Sequence, residues 1–156
     1  MPAAQAAFIL VLAAVAAVSV NFGLIGRFVR GEFSRSFMER DQYPAIRFIG
    51  TVEASDLLMV PGAAVFIDAR NTSDFAKGHV PGALNVPHAA AATDVPASVL
   101  VLPRSGVIVV YCEGGDCGSS LNLARVLSEL GFGDIRIVTG GWTEWIKAGL
   151  PVEPAS

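Results

Sequence analysis

Both cysteines of the chain lie in one short segment, YCEGGDCGSS, which runs from Tyr111 to Ser120. The segment follows VIVVY, a run that is typical of a buried strand, and precedes a run that is typical of a helix. A cysteine thiolate is both a nucleophile and a metal ligand. A reactive-thiol loop, a disulfide hairpin, half of a metal site and an ordinary turn are therefore all open interpretations of this segment.

The position of Cys112 favours the reactive thiol. Cys112 directly follows the strand, and the next helix is expected to begin with Ser119 or Ser120 as its N-cap. A glycine-rich loop that curls into a helix N-terminus turns several N–H groups inward and holds an anion. Such a setting lowers the pKa of a cysteine thiol below its ordinary value of about 8.5. The predicted anion-binding residues of the loop are Glu113, Gly114, Gly115, Asp116, Gly118 and Ser119.

Alternating strands and helices are expected to position this loop. Apolar, β-branched runs predict strands at 46–49, 63–67, 107–111 and 135–138, with a short edge strand at 83–86. Helices are expected at 51–60, starting at a capping Thr or Ser, at 120–130 and at 141–148. Leu123, Leu127 and Leu130 are expected on one stripe of their helix, and Trp142 and Trp145 in the core. The alternation predicts an α/β domain whose ligand site lies at the carboxyl ends of the strands.

The N-terminal segment predicts a membrane anchor. Residues 3–25 carry no charge, and a helix of about 20 apolar residues spans a bilayer core. A cleaved signal peptide should begin with positive charge, which is missing here, and a buried soluble helix seldom runs this long without a charge. Four arginines follow the span within residues 27–40. They favour a single-pass topology with the globular part in the cytoplasm.

The predicted organisation is an anchor at 1–26, a juxtamembrane linker at 27–43 and a globular domain at 44–154, with residues 6–25 contacting the membrane. Residues 41–156 have a net charge of −5 and contain no basic patch, so nucleic-acid binding is not expected. Two cysteines do not make a disulfide scaffold. The spacing of cysteine and histidine does not match the usual zinc patterns, so no metal site is expected.

Three segments of the globular part resemble the rhodanese family. VFIDARNTSDFAKGHVPGALNVP (65–87) resembles the front half of a rhodanese domain, and VIVVYC (107–112) resembles its strand and catalytic cysteine. GFGDIRIVTGGWTEWIKAGLPV (131–152) resembles the closing strand and tryptophan helix. The resemblance implies an α/β rhodanese-like domain with a five-stranded parallel sheet flanked by helices, here preceded by one transmembrane helix. It also implies that Cys112 carries sulfur as a persulfide.

The resemblance further implies supporting roles and reaction partners. Asp68 is expected to accept backbone N–H groups and Arg70 to pair with Asp74, which holds the loops together. A small sulfur donor and an acceptor, either a thiol (including a protein thiol) or cyanide, complete the reaction without a metal or organic cofactor. Glu113 and Asp116 carry negative charge and oppose a dianionic donor such as thiosulfate.

Cys117 is the main departure from the family pattern, because many rhodanese loops carry arginine there. It is a candidate resolving thiol that attacks sulfur on Cys112 and leaves a Cys112–Cys117 disulfide.

Three hypotheses for the function of the chain follow from these residues. The leading hypothesis is a membrane-anchored rhodanese-like sulfurtransferase that uses Cys112. The alternatives are a thiol redox protein that cycles the two cysteines and a catalytically silent partner-binding module.

Overall fold

The structure, a computed structural model, describes residues 42–91, 95–115 and 118–154. The strands in these ranges are β1 (Ile46–Ile49), β2 (Val65–Asp68), β3 (Gly78–His79), β4 (Leu84–Asn85), β5 (Val107–Tyr111), β6 (Asp134–Val138) and β7 (Glu153–Pro154). The helices are α1 (Thr51–Met59), α2 (Thr72–Lys77), α3 (His88–Ala91), α4 (Ala97–Leu100), α5 (Gly118–Glu129) and α6 (Gly141–Lys147).

Five strands form one parallel sheet in the order β1-β6-β5-β2-β4. β5 lies at the centre, and its residues Val109 and Val110 are fully buried. A central parallel strand is covered on both faces, which is why its sequence is apolar throughout. Because all five strands run in the same direction, the loops after β2, β5 and β6 meet at one edge of the sheet. The predicted five-stranded parallel sheet is confirmed.

The sheet separates two apolar layers, and side chains of β5 alternate between them. Ile108 and Val110 pack in the layer that contains α5. Val109 and Tyr111 pack in the opposite layer, which contains Trp145 of α6. Cys112, one residue beyond the strand, continues the alternation and packs on the α5 side.

A second, two-stranded sheet pairs β3 with β7 antiparallel, with Gly78 opposite Pro154 and His79 opposite Glu153. Glu153 also accepts a hydrogen bond from the backbone N–H of Gly82 at 2.8 Å. These contacts fasten the C-terminal residues to the turn that follows α2. Neither strand was expected from the sequence, because two residues are too short to show periodicity.

The N-caps of two helices differ from the expected ones. Gly50 is the N-cap of α1 and no side chain caps that helix, so Thr51 is its first helical residue and does not cap it. Helix α5 begins at Gly118, so the predicted caps Ser119 and Ser120 lie inside its first turn. Serine favours caps by propensity, but here the glycine-rich loop enters the helix earlier.

Two more differences concern burial and a missed helix. Leu130 lies beyond the end of α5 and is 37% exposed, so only Leu123 and Leu127 of the predicted stripe lie on the helix, where both are buried. Helix α2 was not expected from the sequence. Its N-cap is Asn71, whose side chain accepts a hydrogen bond from the N–H of Asp74, an arrangement typical of helix starts.

Within residues 42–91, 95–115 and 118–154, no helix has the length and apolar character needed to cross a membrane. The predicted anchor at 1–26 and nearly all of the predicted linker at 27–43 lie outside these ranges. Both stay predictions.

Candidate active site

Cys112 lies at the carboxyl end of the central strand and is 1% exposed. Its Sγ atom is 3.4 Å from the hydroxyl oxygen of Ser120, in the first turn of α5. Cys112 is disulfide-bonded in the structure. The chain has one other cysteine, Cys117, which lies outside the described residues together with Asp116, so their predicted roles stay predictions.

The first turn of α6 holds the beginning of the cysteine loop. The N–H of Trp142 donates to the carbonyl oxygen of Cys112 at 2.7 Å. The N–H of Thr143 donates to the carbonyl oxygen of Glu113 at 2.9 Å, and the hydroxyl of Thr143 donates to the same oxygen at 2.8 Å. In a trans peptide the N–H points opposite to the C=O. The N–H groups of Glu113 and Gly114 therefore face away from α6, as an anion-binding loop requires.

Glycines make this close approach between α6 and the loop possible. A Cβ atom added to Gly141 would lie 2.4 Å from the carbonyl oxygen of Cys112. A Cβ atom added to Gly114 would lie 2.5 Å from the carbonyl oxygen of Gly140. Gly114 and Gly141 also have positive φ angles, of 130° and 54°, which side chains disfavour. Any larger residue at either position would push the loop away from α6.

A buried ion pair stands beside the loop, at the end of β2. Arg70 donates from Nε to both carboxylate oxygens of Asp68 at 3.0 Å and from Nη2 to Oδ2 at 2.6 Å. The backbone N–H of Arg70 also donates to Asp68, as predicted, and Nη2 donates to the carbonyl oxygen of Gly78. The predicted pairing of Arg70 with Asp74 is wrong, because the Asp68 carboxylate meets the guanidinium in the buried interior. Asp74 pairs with Lys77 on the surface.

Aromatic rings enclose the guanidinium of Arg70. It lies 4.4 Å from the ring centre of Trp142 and 5.9 Å from that of Tyr111. Burial alone would lower the pKa of Arg70, but the hydrogen bonds and charge of Asp68 outweigh burial and raise that pKa. Burial, together with the Asp68 carboxylate, raises the pKa of Tyr111. The Tyr111 hydroxyl is therefore neutral, and it accepts a hydrogen bond from the N–H of Val80 at 3.1 Å.

A cavity of about 250 Å³ opens next to this ion pair. Its lining residues are Arg70, Asp74, Lys77, Gly78, Glu113 and Trp142. Among the described residues, no group of three or more His, Cys, Asp or Glu side chains is placed to hold a metal ion.

The structure brings Asp68, Arg70, Cys112 and the first loop residues to the same edge of the sheet. Two neighbours of this cluster differ from their predicted roles. The sequence predicts Ser120 only as a helix cap, whereas its hydroxyl lies beside the sulfur. The sequence also predicts both Trp142 and Trp145 in the core. Trp145 is in the core, but Trp142 is half-buried and lines the cavity. The spacing of the two tryptophans, three residues apart in a short helix, gave no signal for this difference.

Comparison with known proteins identifies the family. The family model described as "Rhodanese-like domain" matches residues 51–148, more than half of the chain. The chain belongs to the rhodanese-like domain family. The expected resemblance to rhodaneses is thereby confirmed, and the matched span includes the Asp68–Arg70 pair, Cys112 and α6 of the rhodanese-like domain.

Individual relatives are distant. An HTH-type transcriptional regulator of Mycobacterium tuberculosis is 32% identical over 92 residues, which cover 59% of this chain and 38% of the regulator. Thiosulfate sulfurtransferase 16, chloroplastic, of Arabidopsis thaliana is 29% identical over 113 residues, which cover 67% of this chain and 91% of that protein. A solved protein structure from Bacillus halodurans matches with a TM-score of 0.62 at 23% identity, covering 81% of this chain and 87% of that one. This structural likeness concerns the fold alone.

We expect Gly141→Ala to destabilise the rhodanese-like domain more than Gly149→Ala. Both glycines have positive φ angles, but a Cβ atom at Gly149 meets nothing within 4 Å. The strained backbone costs about 1–2 kcal/mol at either site, and the clash with the Cys112 carbonyl adds about 1–3 kcal/mol at Gly141. Urea unfolding monitored by circular dichroism measures both. Equal losses in the two variants would show that the contact between α6 and the loop is unimportant.

We expect Ser120→Ala to slow alkylation of Cys112 in reduced protein by about 2–10-fold, because a hydrogen bond worth about 0.5–1.5 kcal/mol to the reacting sulfur is lost. Mass spectrometry of the Cys112 peptide after timed exposure to iodoacetamide measures the rate. Ser128→Ala, near the other end of α5, is the control and should react at the parent rate. An alkylation rate in Ser120→Ala equal to that of the control would show that the Ser120 hydroxyl does not affect the reactivity of Cys112.

Proposed function

We propose that this protein is a sulfurtransferase that carries sulfane sulfur as a persulfide on Cys112. The observation that carries the proposal is the position of Cys112. It ends the central strand, and α6 holds its carbonyl and that of Glu113 so that the following N–H groups face away from the helix. Membership of the rhodanese-like family and the likeness to a thiosulfate sulfurtransferase support the same activity.

The proposed reaction has two displacement steps. The Cys112 thiolate attacks the outer sulfur of a donor, a bond from Sγ to that sulfur forms, and the donor's own bond to it breaks as the leaving group takes the electron pair. An acceptor thiolate or cyanide then attacks the same sulfur, and the Cys112 thiolate leaves. Loop amides stabilise the persulfide anion in a setting that is sheltered from water. No oxidant or reductant is consumed.

The charge of Glu113 bears on the choice of donor. Its side chain is 64% exposed beside the loop, and a carboxylate repels a dianion. We expect thiosulfate to load Cys112 less efficiently than a donor of lower negative charge. The preferred donor is therefore identified by comparing how fast different donors load Cys112, because membership of the rhodanese-like family does not specify it.

A thiol redox protein is the second candidate function, and the disulfide at Cys112 favours it. In this reaction a second thiol attacks Sγ of the Cys112 persulfide and forms a disulfide with it. The outer sulfur leaves as hydrogen sulfide. The predicted second thiol is Cys117. Each turnover then requires an external dithiol that reduces the disulfide, which plain sulfur transfer does not need.

Mass spectrometry of the sulfur-loaded protein tests the proposed function. Reduced protein is exposed to sulfane donors of different charge, and we expect the Cys112 peptide to gain the mass of one sulfur atom. Cys112→Ser should abolish transfer to cyanide or to a thiol, by more than about 10³-fold, because the nucleophile is removed. Cys117→Ser should keep transfer to both acceptors if the sulfurtransferase proposal is correct.

The same measurements separate the alternatives. If turnover requires both cysteines and ends in a disulfide, the redox function is correct and the sulfurtransferase proposal is wrong. If no donor adds sulfur to Cys112 and no disulfide cycles, the domain is a catalytically silent binding module and both proposals are wrong.

We also propose that residues 1–26 anchor the domain in a membrane with the domain in the cytoplasm. The uncharged run at 3–25 and the arginines that follow it support this placement. We expect the full chain to stay in the membrane fraction after an alkaline wash, and a variant that lacks residues 1–26 to leave it. Release of the full chain by the wash would contradict a retained anchor. The finding that the protein isolated from cells lacks residues 1–26 would contradict it too. Protease added to sealed vesicles tests on which side the domain lies.

A further inference from the structure

Exposed apolar side chains gather at the edge of the central sheet where its strands begin. The described residues include nine exposed large apolar side chains. Five of these lie in segments that lead into strands: Met59 and Val60 before β2, Leu100 and Val101 before β5, and Leu130 before β6. Because β6, β5 and β2 are parallel neighbours, these segments lie along one edge. Single exposed apolar residues are ordinary, but a group of them marks an interaction surface.

Arg104 joins two of these segments. Its Nη2 donates to the carbonyl oxygen of Leu100 at 3.2 Å, and its guanidinium lies 4.1 Å from the ring centre of Phe132. The carbonyl oxygen of Arg104 accepts a hydrogen bond from the N–H of Gly133 at 3.0 Å. The segments before β5 and β6 are therefore in direct contact, with the exposed Arg104 between them.

The chain enters the globular domain at the same edge. Tyr43 precedes β1, which is the neighbour of β6. The Tyr43 hydroxyl donates to Glu129, the last residue of α5, at 3.4 Å, and its ring centre lies 5.8 Å from the guanidinium of Arg125. Tyr43 therefore lies beside the end of α5, where Leu130 follows. The predicted anchor and linker precede this point in the sequence.

The two edges of the sheet differ in charge. The edge where the strands begin carries the Arg104 guanidinium beside its apolar side chains, and the edge that carries Cys112 has the exposed carboxylate of Glu113. β5 has five residues, each of which adds about 3.3 Å, so about 17 Å separates the edges. We call the first edge the amino-edge surface. Its residues are Met59, Val60, Leu100, Val101, Arg104 and Leu130.

The chemistry of the amino-edge surface fits the headgroup region of an anionic bilayer. Apolar side chains enter the boundary between headgroups and acyl chains, and a basic side chain beside them is attracted to anionic lipid. Residues 41–156 have a net charge of −5, so the rest of the domain is repelled by such lipid. An acidic domain with one apolar edge that carries an arginine is therefore expected to meet an anionic bilayer by that edge.

We propose that the amino-edge surface contacts the anionic face of a lipid bilayer and holds the edge that carries Cys112 away from the membrane. This inference rests on the proposed membrane anchor, which brings a bilayer within reach, and adds to it the surface that makes the contact. The Cys112 edge then faces the aqueous phase. Its sulfur donor and acceptor are then molecules dissolved in water and not molecules embedded in the membrane.

Fluorescence quenching by brominated lipids tests the contact. Full-length protein is reconstituted into vesicles of phosphatidylcholine and phosphatidylglycerol, with or without bromine on the acyl chains. Bromine quenches a tryptophan that enters the bilayer boundary. We expect the emission that Val101→Trp adds to be lost in the brominated vesicles. The parent protein, which contains Trp142 and Trp145, gives the background emission in both kinds of vesicle.

Val52 offers a matched control for this measurement. Val52 is 74% exposed and Val101 is 80% exposed, so a tryptophan fits at either position. Val52 lies in the first turn of α1, which follows the carboxyl end of β1, and so belongs to the edge that carries Cys112. We expect the emission that Val52→Trp adds to be equal in brominated and unbrominated vesicles.

Substitutions of Arg104 test the electrostatic part of the contact, with quenching of Val101→Trp as the readout. Arg104→Gln should lower the ratio of bound to free domain about fivefold in anionic vesicles, because one basic side chain near such a surface contributes about 1 kcal/mol. Arg104→Lys keeps the charge and should keep the quenching. Lys147→Gln removes an exposed charge from α6 and should have no effect. In vesicles of phosphatidylcholine alone, Arg104→Gln should have no effect either.

The results separate the possible occupants of the surface. Equal quenching of Val101→Trp and Val52→Trp, or no quenching of either, would overturn the oriented contact. If Val101→Trp is not quenched and Val101→Asp dissociates a dimer of the full chain in sedimentation, the surface is an interface between copies and the lipid contact is wrong. Quenching that is the same in Arg104→Gln and the parent, in anionic vesicles, would overturn the role of Arg104.

Failure of the anchor is a separate outcome. Release of the full chain by the alkaline wash would contradict the anchor and not, by itself, the surface. Vesicles added to the released chain would still quench Val101→Trp if the amino-edge surface binds lipid. Unchanged emission in that experiment would overturn the surface as well.

Discussion

The backbone contact between α6 and the cysteine loop is the constraint on which the site depends. Trp142 and Thr143 use their N–H groups to hold two successive carbonyls of the loop, and this fixes the direction of the peptide groups next to the sulfur. The contact forms only because Gly141 has no side chain at the point of closest approach. Trp145, buried against the sheet three residues later, fixes α6 itself. The core therefore determines the loop geometry through one short helix.

Much of the fold could be predicted because the strands of a parallel sheet carry a strong signal. β5 is apolar on both faces and rich in β-branched residues, which few other structures require. Helix starts were less predictable, since they depend on where a loop meets its neighbours. Ser120 has the propensity of a cap, yet tertiary contacts place it inside α5 with its hydroxyl toward Cys112. β3 and β7 have two residues each and no pattern that a sequence could reveal.

The candidate site could be predicted where neighbouring residues act together, and not where distant residues converge. Cys112 was recognisable from the strand before it and the glycines after it. The partner of Arg70 was assigned wrongly, because the sequence does not tell which carboxylate a long side chain reaches once buried. The cavity beside the Asp68–Arg70 pair joins Lys77, Glu113 and Trp142 from three separate elements. Only the sheet order brings those elements to one edge. The spacing of the three residues along the sequence therefore does not predict that they lie close together.

The two ends of Arg70 have different consequences for the divergence of this domain. One end is locked to Asp68 in the interior, where loss of one partner leaves an uncompensated charge and costs several kcal/mol. The charges that face the other end, on Lys77 and Glu113, belong to exposed side chains, whose replacement usually changes stability by less than about 0.5 kcal/mol. Selection can therefore alter the charge of the cavity rim in small steps while the scaffold stays constant. The stability of this domain and the charge of its cavity rim are therefore largely independent traits.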